Sequence, residues 1–268
     1  MTGRAPGEGG LSLCVLASGS RGNAVYISGR RASVLLDAGL SGIEIQRRLS
    51  SRGIDPADID AIVVSHEHDD HIRGAGILSR RFDIPVYITP RTRRAAEGRL
   101  GRVHAFKPFE TGRDFKIGDL TFQPFSISHD AEDPAGFAVS QNGAKIGIAT
   151  DLGAATALVK ERLKGCAALA LEANHDPAML MEGPYPWHIK QRIKGRTGHL
   201  SNAAARDLLE EIKHPGLRHV VLAHLSGTNN TASKALEEAA KALSDVDARL
   251  CAARQDLCGE MIRVTGGS

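Results

Sequence analysis

Aromatic side chains are scarce in this chain, only 4% of 268 residues with a single tryptophan, so Val, Ile, Leu and Ala must fill whatever core it builds. No uninterrupted apolar run approaches the roughly 20 residues that span a bilayer, and no membrane association is expected. Met1–Gly10 is polar and Gly-rich and lacks the apolar stretch of a secretory signal. It reads as a flexible N-terminus, residues 1–10, ahead of one domain over residues 11–264. Cysteine is sparse as well. Cys14, Cys166, Cys251 and Cys258 form no CxxC pair, and the first two lie in apolar, strand-like runs. They read as reduced thiols of a cytoplasmic protein, not as a disulfide framework. Nor is charge of one sign in large excess: a net charge of +3 permits a polyanionic substrate without demanding one. What the chain does have is 42% hydrophobic residues, enough for a sizeable core.

Apolar runs bounded by turn residues predict strands at 11–17, 24–28, 33–37 and 59–64, with a helix over 42–51 opened by a Ser41/Glu44 capping box. A helix is expected over 72–81 and a short strand at 85–88. Two hairpins follow, 115–117 with 120–127 and 136–140 with 145–149, the second turning at Asn142-Gly143. Helices at 154–164, 202–213 and 231–243 alternate with strands at 167–172, 219–223 and 249–252. Strand-rich and helix-alternating parts occur in both halves. This predicts an α/β (α+β) fold of two sheets with helices outside, a four-layer αββα sandwich.

The most informative stretch is Ser65-His66-Glu67-His68-Asp69-Asp70-His71, which delivers three imidazoles and three carboxylates directly after a buried strand. His66 and His68 are two apart and share one side of an extended segment; Asp70 continues the alternation, and His71 follows where the chain must turn. Imidazole nitrogen and carboxylate oxygen are ligands for divalent metals. Further ligand types end other strands: His129 after 122–128, Asp151 after 146–150 and His224 after 220–223. Asp37 has the same placement in Leu35-Leu36-Asp37-Ala38-Gly39, where it either orients a ligand loop or a histidine N–H or merely caps a strand end.

The order Leu-Leu-Asp-Ala-Gly, HxHxDH, His, Asp, His resembles the metallo-β-lactamase superfamily of metallohydrolases over nearly the whole chain. A finer resemblance is to its YycJ-like branch, also called WalJ or VicX. It rests on Leu16–Asn23, Asp37–Gly42, Leu171–Asp176, Tyr185–Trp187, Gly198–Asn202, Ala223–Ser226 and Asn229-Asn230. The resemblance implies two divalent metal ions, zinc or manganese. One would be held by His66, His68 and His129 and the other by Asp70, His71 and His224, with Asp151 and a water or hydroxide bridging them. It also implies a nuclease-type phosphodiesterase with 5′-to-3′ exonuclease action on DNA. In such a site, paired cations lower the pKa of a shared water and offset phosphate charge.

The leaving alkoxide needs a proton. His199 is the candidate donor and Glu172 the carboxylate that orients it or raises its pKa; the similar tRNase Z enzymes also combine a glutamate with a non-ligand histidine. His175 is a candidate for the same polar shell. For all three, a buried hydrogen-bonded network that only holds the fold is the alternative. Lys190, Arg192 and Lys194 form a cationic run before His199 that can engage backbone phosphates. Arg21 and Asn23, in the Gly-rich turn, are candidates for the same task by resemblance. Trp187 stacks on a base or fills space, and Arg91–Arg94 with Arg99–Arg102 reads as a solvated face. Two other functions fit parts of the pattern: a thioester hydrolase of the glyoxalase II kind, and a non-catalytic nucleic-acid-binding protein. The strand and helix between Asp151 and His224 leave no room for the inserted cap of β-CASP nucleases.

Overall fold

Side-chain alternation decides which layer each strand residue meets. In Leu11–Ala17, Leu11, Leu13 and Val15 face one layer, Cys14 and Leu16 face another, and all five are buried. A strand buried on both faces needs a packed layer on each side. The computed structural model, which describes residues 10–264, shows this arrangement in two sheets. Of the N-terminus expected to be flexible, only Gly10 falls among the described residues.

The first sheet holds β1 (Leu11–Ala17), β2 (Ala24–Ser28), β3 (Ser33–Leu36), β4 (Ala61–Val63), β5 (Val86–Ile88) and β6 (Phe106–Pro108). The second holds β7 (Phe115–Ile117), β8 (Leu120–Ser126), β9 (Ala135–Gln141), β10 (Ala144–Ala149), β11 (Ala168–Glu172), β12 (His219–Ala223) and β13 (Arg249–Ala252), while β14 (Ile262–Val264) returns to the first. The strand orders are β14-β1-β2-β3-β4-β5-β6 and β13-β12-β11-β10-β9-β8-β7. Hairpins make one part of each sheet antiparallel. The β9–β10 hairpin turns through Asn142 (φ 47°) and Gly143 (φ 79°), the left-handed pair its sequence calls for. From β3 to β6 and from β10 to β13 the pairing is parallel. Parallel strands bring their C-terminal ends to one edge. Asp37, His66, Asp151, Glu172 and His224 all sit at or just beyond such ends.

The helices are α1 (Gly42–Ser50), α2 (Asp69–Ile72), α3 (Ala75–Phe82), α4 (Pro90–Ala95), α5 (Ala157–Leu163), α6 (Pro177–Glu182), α7 (Trp187–Lys194), α8 (Asn202–Ile212) and α9 (Ala232–Ala242). Ile45 and Leu49 of α1 and Leu78 of α3 pack on Leu35, Ile62 and Val86 of the first sheet. Val159, Leu208, Leu209 and Ala239 of α5, α8 and α9 cover Leu169, Leu171, Val220 and Leu222 of the second. Between the sheets lie Leu13, Val34, Leu36, Val63, Phe122, Phe137, Ile146 and Val221. The four-layer αββα sandwich is therefore the fold.

Several boundaries differ from the sequence expectation for visible reasons. The helix expected over 72–81 is two, α2 and α3, broken at Gly74, whose N–H leaves the helical pattern and donates to the Ala38 carbonyl at 2.7 Å; an added Cβ there would lie 2.4 Å from the Leu40 carbonyl oxygen. α5 begins at Ala157, not 154, because the Thr156 hydroxyl caps it by accepting the Val159 N–H. The strand expected at 33–37 ends at Leu36, since Asp37 takes φ 58°. α6 and α7 gave no periodic signal because they bury little: Leu180 in α6 and no residue of α7. β6 and β14 are three-residue edge strands, and α4 is a short, Arg-rich helix.

Phe122→Ala, opening a hole between the sheets, is expected to cost about 3–5 kcal/mol in urea unfolding. Ile43→Ala, on a side chain 77% exposed, should cost under about 0.5 kcal/mol.

Candidate active site

The loop after β4 is held by a buried carboxylate. Asp37 accepts the Ser65 N–H at Oδ1 and the Ser65 hydroxyl at Oδ2, both at 2.8 Å. Asp37 Oδ2 also lies 2.8 Å from His71 Nδ1, and the Ser65 hydroxyl lies 2.9 Å from His66 Nδ1. With their Nδ1 edges so occupied, both rings present Nε2 to the interior of the site. His66 Nε2 is 3.1 Å from His68 Nδ1, which is 3.2 Å from His129 Nε2. Glu67 points away from this cluster and accepts the Glu132 N–H at 2.9 Å, tying its loop to the one that carries His129. Gly39 sits directly beneath Asp70: a Cβ there would meet the Asp70 carbonyl oxygen at 1.6 Å, so the Asp-Ala-Gly motif fixes the loop by close backbone approach.

The second sheet supplies the opposite wall. Glu172 is fully buried, and four donors converge on it. Its Oε2 accepts the Leu152 N–H at 2.7 Å and the Leu200 N–H at 3.1 Å; its Oε1 faces His199 Nδ1 at 2.9 Å and His224 Nδ1 at 2.8 Å. Asp151 lies between these histidines, with Oδ1 3.5 Å from His224 Nδ1 and 3.8 Å from His129 Nε2, and Oδ2 3.1 Å from His71 Nε2. His224 Nε2 is 3.7 Å from Asp70 Oδ2. Asp37, Asp151 and His224 all have φ between 53° and 58°, a left-handed conformation that costs non-glycine residues about 1–2 kcal/mol each. Such strain clusters at functional sites.

The donor atoms of His66, His68 and His129 fall within 4.8 Å of one another, as do those of Asp70, His71 and His224, and those of His66, His71 and Asp151. Glu172 and His199 form a further such group with Asp151 and His224. Burial lowers the pKa of His66 and of His129, which keeps these imidazoles neutral, as a metal ligand must be. Burial would raise Asp151 and Glu172, but flanking histidines outweigh it, holding Asp151 well below the usual carboxylate range and Glu172 at about 2. Burial opposes charging of His199 too, yet Glu172 raises its pKa. Asp151 Oδ2 and His224 Nε2 are buried without a hydrogen bond of good geometry. Burial opposes charging of His71 and His224 as well, but the carboxylates around them raise both, His224 to about 10. The neutral His66 and His129, two further imidazoles that draw protons from among Asp37, Asp70, Asp151 and Glu172, and two buried polar atoms without a well-aligned hydrogen bond fit a site that a divalent cation would occupy in place of those protons.

A cavity of about 240 Å³ opens onto this cluster, lined by His68, Asp70, His129, Asp151, His199 and His224 and walled by Tyr185, Ile189 and Arg192. Of the expected substrate contacts, Arg192 lines it, paired with Asp130 through Nε at 2.7 Å. Lys190 and Lys194 do not. Lys190 donates to the Met181 carbonyl at 2.6 Å, and Lys194 lies 4.9 Å from the centre of the exposed Trp187 ring. Two and four residues apart on a helix, these cations cannot all face one way. Asn23 is buried instead of exposed to substrate. Its side chain binds Gly19 N at 2.9 Å and lies 3.2 Å from Asp70 Oδ2 and 3.1 Å from His71 Nε2, so it positions the loop. Arg21 is exposed on the same turn. His175 is buried with Nδ1 unpartnered, and burial lowers its pKa to about 4. The basic tract is a solvated face, Arg91 pairing with Glu132 and Arg99 with Asp69.

Asp130 has no sequence signal, because a lone Asp in a loop carries no period or spacing, and Ser65 and Tyr185 stood inside motif stretches without a role of their own. Asn202 and Asn230 stood inside quoted motifs without a role. They form a reciprocal amide pair, and Asn230 also donates to the Ala173 and Asn174 carbonyls, so the pair clamps the loop behind Glu172.

Asp37→Asn keeps the shape and the left-handed tolerance of the position but loses the charge behind His71. Metal affinity, measured by competition with a chromogenic chelator, is expected to fall about 10–100-fold. Unchanged affinity would reduce Asp37 to a strand-end cap.

Residues 32–225 match the β-lactamase superfamily domain. The chain is 38% identical over 223 residues to "Exodeoxyribonuclease YycJ" of Bacillus anthracis, covering 82% of this chain and 84% of that relative. It is 36% identical over 231 residues to "Exodeoxyribonuclease WalJ" of Streptococcus pneumoniae, covering 83% and 84%. Among solved structures, the metallo-β-lactamase fold protein YhfI of Bacillus subtilis superposes with a TM-score of 0.73 at 16% identity, covering 94% of this chain and 98% of that one, a likeness of fold alone. By the domain match and by these two relatives, the chain belongs to the β-lactamase superfamily.

Proposed function

We propose that this protein is a metal-dependent exodeoxyribonuclease, a phosphodiesterase acting 5′-to-3′ on DNA with two divalent cations, zinc or manganese. His66, His68 and His129 would hold one cation, Asp70, His71 and His224 the other, and Asp151 would serve both. The observation that carries the proposal is the position of Asp151 between the two groups, its carboxylate 3.8 Å from His129 Nε2 on one side and 3.1 and 3.5 Å from the His71 and His224 rings on the other. The names of the two relatives support the substrate. Among the described residues no helix is long and apolar enough to cross a membrane, and the reading places the enzyme with DNA in the cytoplasm.

When bound, the cations supply Lewis-acid chemistry, easing deprotonation of water and offsetting phosphate charge. The chain's own groups do the rest. Arg192, held by Asp130 at the cavity wall, meets a phosphate of the strand. Glu172 takes the Nδ1–H of His199 and leaves Nε2 as the ring's other polar atom; His199 lines the cavity and donates its proton to the departing alkoxide.

Metal-loaded protein is expected to shorten end-labelled duplex DNA, and His68→Ala to abolish this. Hydrolysis of S-lactoylglutathione without DNA cleavage would identify a thioester hydrolase instead, and DNA retention that survives chelation, with no ester turnover, a binding protein. His199→Ala should keep its metal content and lose about 10²–10⁴-fold in rate. An acid must carry its proton, so the wild-type rate falls as pH rises through the raised His199 pKa, and this limb should vanish in the variant. Metal loss in His199→Ala would overturn the assignment.

A further inference from the structure

A second reactive centre lies away from the metal-type cluster, where the segment after β13 runs back along β1. Gly259 N–H donates to the Val15 carbonyl at 2.9 Å, fixing the two stretches side by side. Across them, Cys14 Sγ and Cys258 Sγ are 3.8 Å apart. The Arg52 side chain reaches over from just beyond α1: its Nε lies 3.2 Å from Cys258 Sγ and its terminal nitrogen donates to the Cys258 carbonyl at 2.7 Å. Cys14 is fully buried, whereas Cys258 is half-buried and lines an apolar cavity of about 360 Å³. Cys251 lines the same cavity and is exposed, but neither Arg52 nor a second thiol touches it. Access therefore does not distinguish the two cysteines; their neighbours do.

We infer that Cys258 and Cys14 form a peroxide-oxidisable dithiol, with Cys258 the attacking sulfur, Cys14 the resolving one and Arg52 the group that holds Cys258 as thiolate. Thiolate is the nucleophilic form, and a guanidinium beside a thiol favours it. The direction of the ionisation agrees. The hydrogen bond from Cys14, against the opposing effect of burial and with help from Arg52, brings Cys258 down to about 6, while burial raises Cys251. Cys14, beside that thiolate, is raised and keeps its proton.

The chemistry balances with hydrogen peroxide as the oxidant. The Cys258 thiolate attacks one peroxide oxygen; an S–O bond forms, the O–O bond breaks, and hydroxide leaves to become water with a solvent proton. The Cys14 sulfur then attacks the sulfenic sulfur; an S–S bond forms, the S–O bond breaks, and the Cys14 proton leaves with the hydroxyl as a second water. The two sulfurs together lose two electrons and peroxide gains two. The resulting bond would staple the C-terminal segment to β1. That segment already holds the Gly-rich turn, since Gln255 accepts the Arg21 N–H at 2.8 Å and donates to the Gly22 carbonyl at 2.9 Å.

Reduced full-length protein, treated with equimolar hydrogen peroxide, is expected to lose two thiols and yield one dithiothreitol-reversible Cys14–Cys258 peptide by mass spectrometry, with Cys251 still alkylatable. At neutral pH, iodoacetamide should label Cys258 about tenfold faster than Cys251. Arg52→Ala, at an exposed position, should remove most of that advantage. Cys258→Ser should abolish the crosslink. Cys14→Ser should leave a Cys258 sulfenic acid that dimedone traps; should that variant fail to fold, the peptide map of the wild type decides by itself. Equal labelling of Cys251 and Cys258, an unchanged rate in Arg52→Ala, or a wild-type Cys258 that stays trapped as sulfenic acid beside an intact Cys14 thiol would each overturn the inference.

Discussion

One buried carboxylate organises half of the site. Glu172 ends β11 in full burial and is met by the Leu152 and Leu200 N–H groups and by the His199 and His224 rings. Each of these donors sits next to something the site needs. Leu152 follows Asp151, Leu200 follows His199, and His224 is itself in the cluster. A charge removed from water is tolerated only when its lone pairs are satisfied, and removing one partner of such a pair costs about 3–5 kcal/mol. The loops after β10 and β12 and the one ending in Leu200 are thus tied to a single point. Asp37 does the same on the first sheet, holding Ser65 and His71.

These anchors explain why the backbone accepts strain at strand ends. A strand that simply continued would carry its next side chain along the sheet edge. At Asp37, Asp151 and His224 the chain turns through a left-handed residue, and all three side chains then reach the common cluster. The hydrogen bonds and ion pairs made there offset that cost of about 1–2 kcal/mol per residue.

The cationic helix α7 divides by the same geometry. Arg192 faces the cavity and is steadied by Asp130. Lys190 and Lys194 lie on another side of the helix, the first on a carbonyl and the second over Trp187. A charge run in sequence is therefore one contact at the site and two charges elsewhere. The Cys14–Cys258 pair makes a related point: two thiols 244 positions apart become neighbours only because the C-terminal segment returns to β1.

The sequence alone determined the layers, because buried strands and amphipathic helices write their periods into local pattern, and it determined HxHxDH, because clustered ligand types are visible at short spacing. It also picked out His129, Asp151 and His224 as strand-end residues. Tertiary structure decided which of these meet, and through which atoms: the parallel halves of two different sheets had to bring their C-terminal edges together. It decided that Asn23 supports the loop from a buried position, that Ser65 and Asp130 belong to the site, and that α6 and α7 exist at all. Those facts depend on contacts between residues far apart in the chain, and no local period or spacing encodes such contacts.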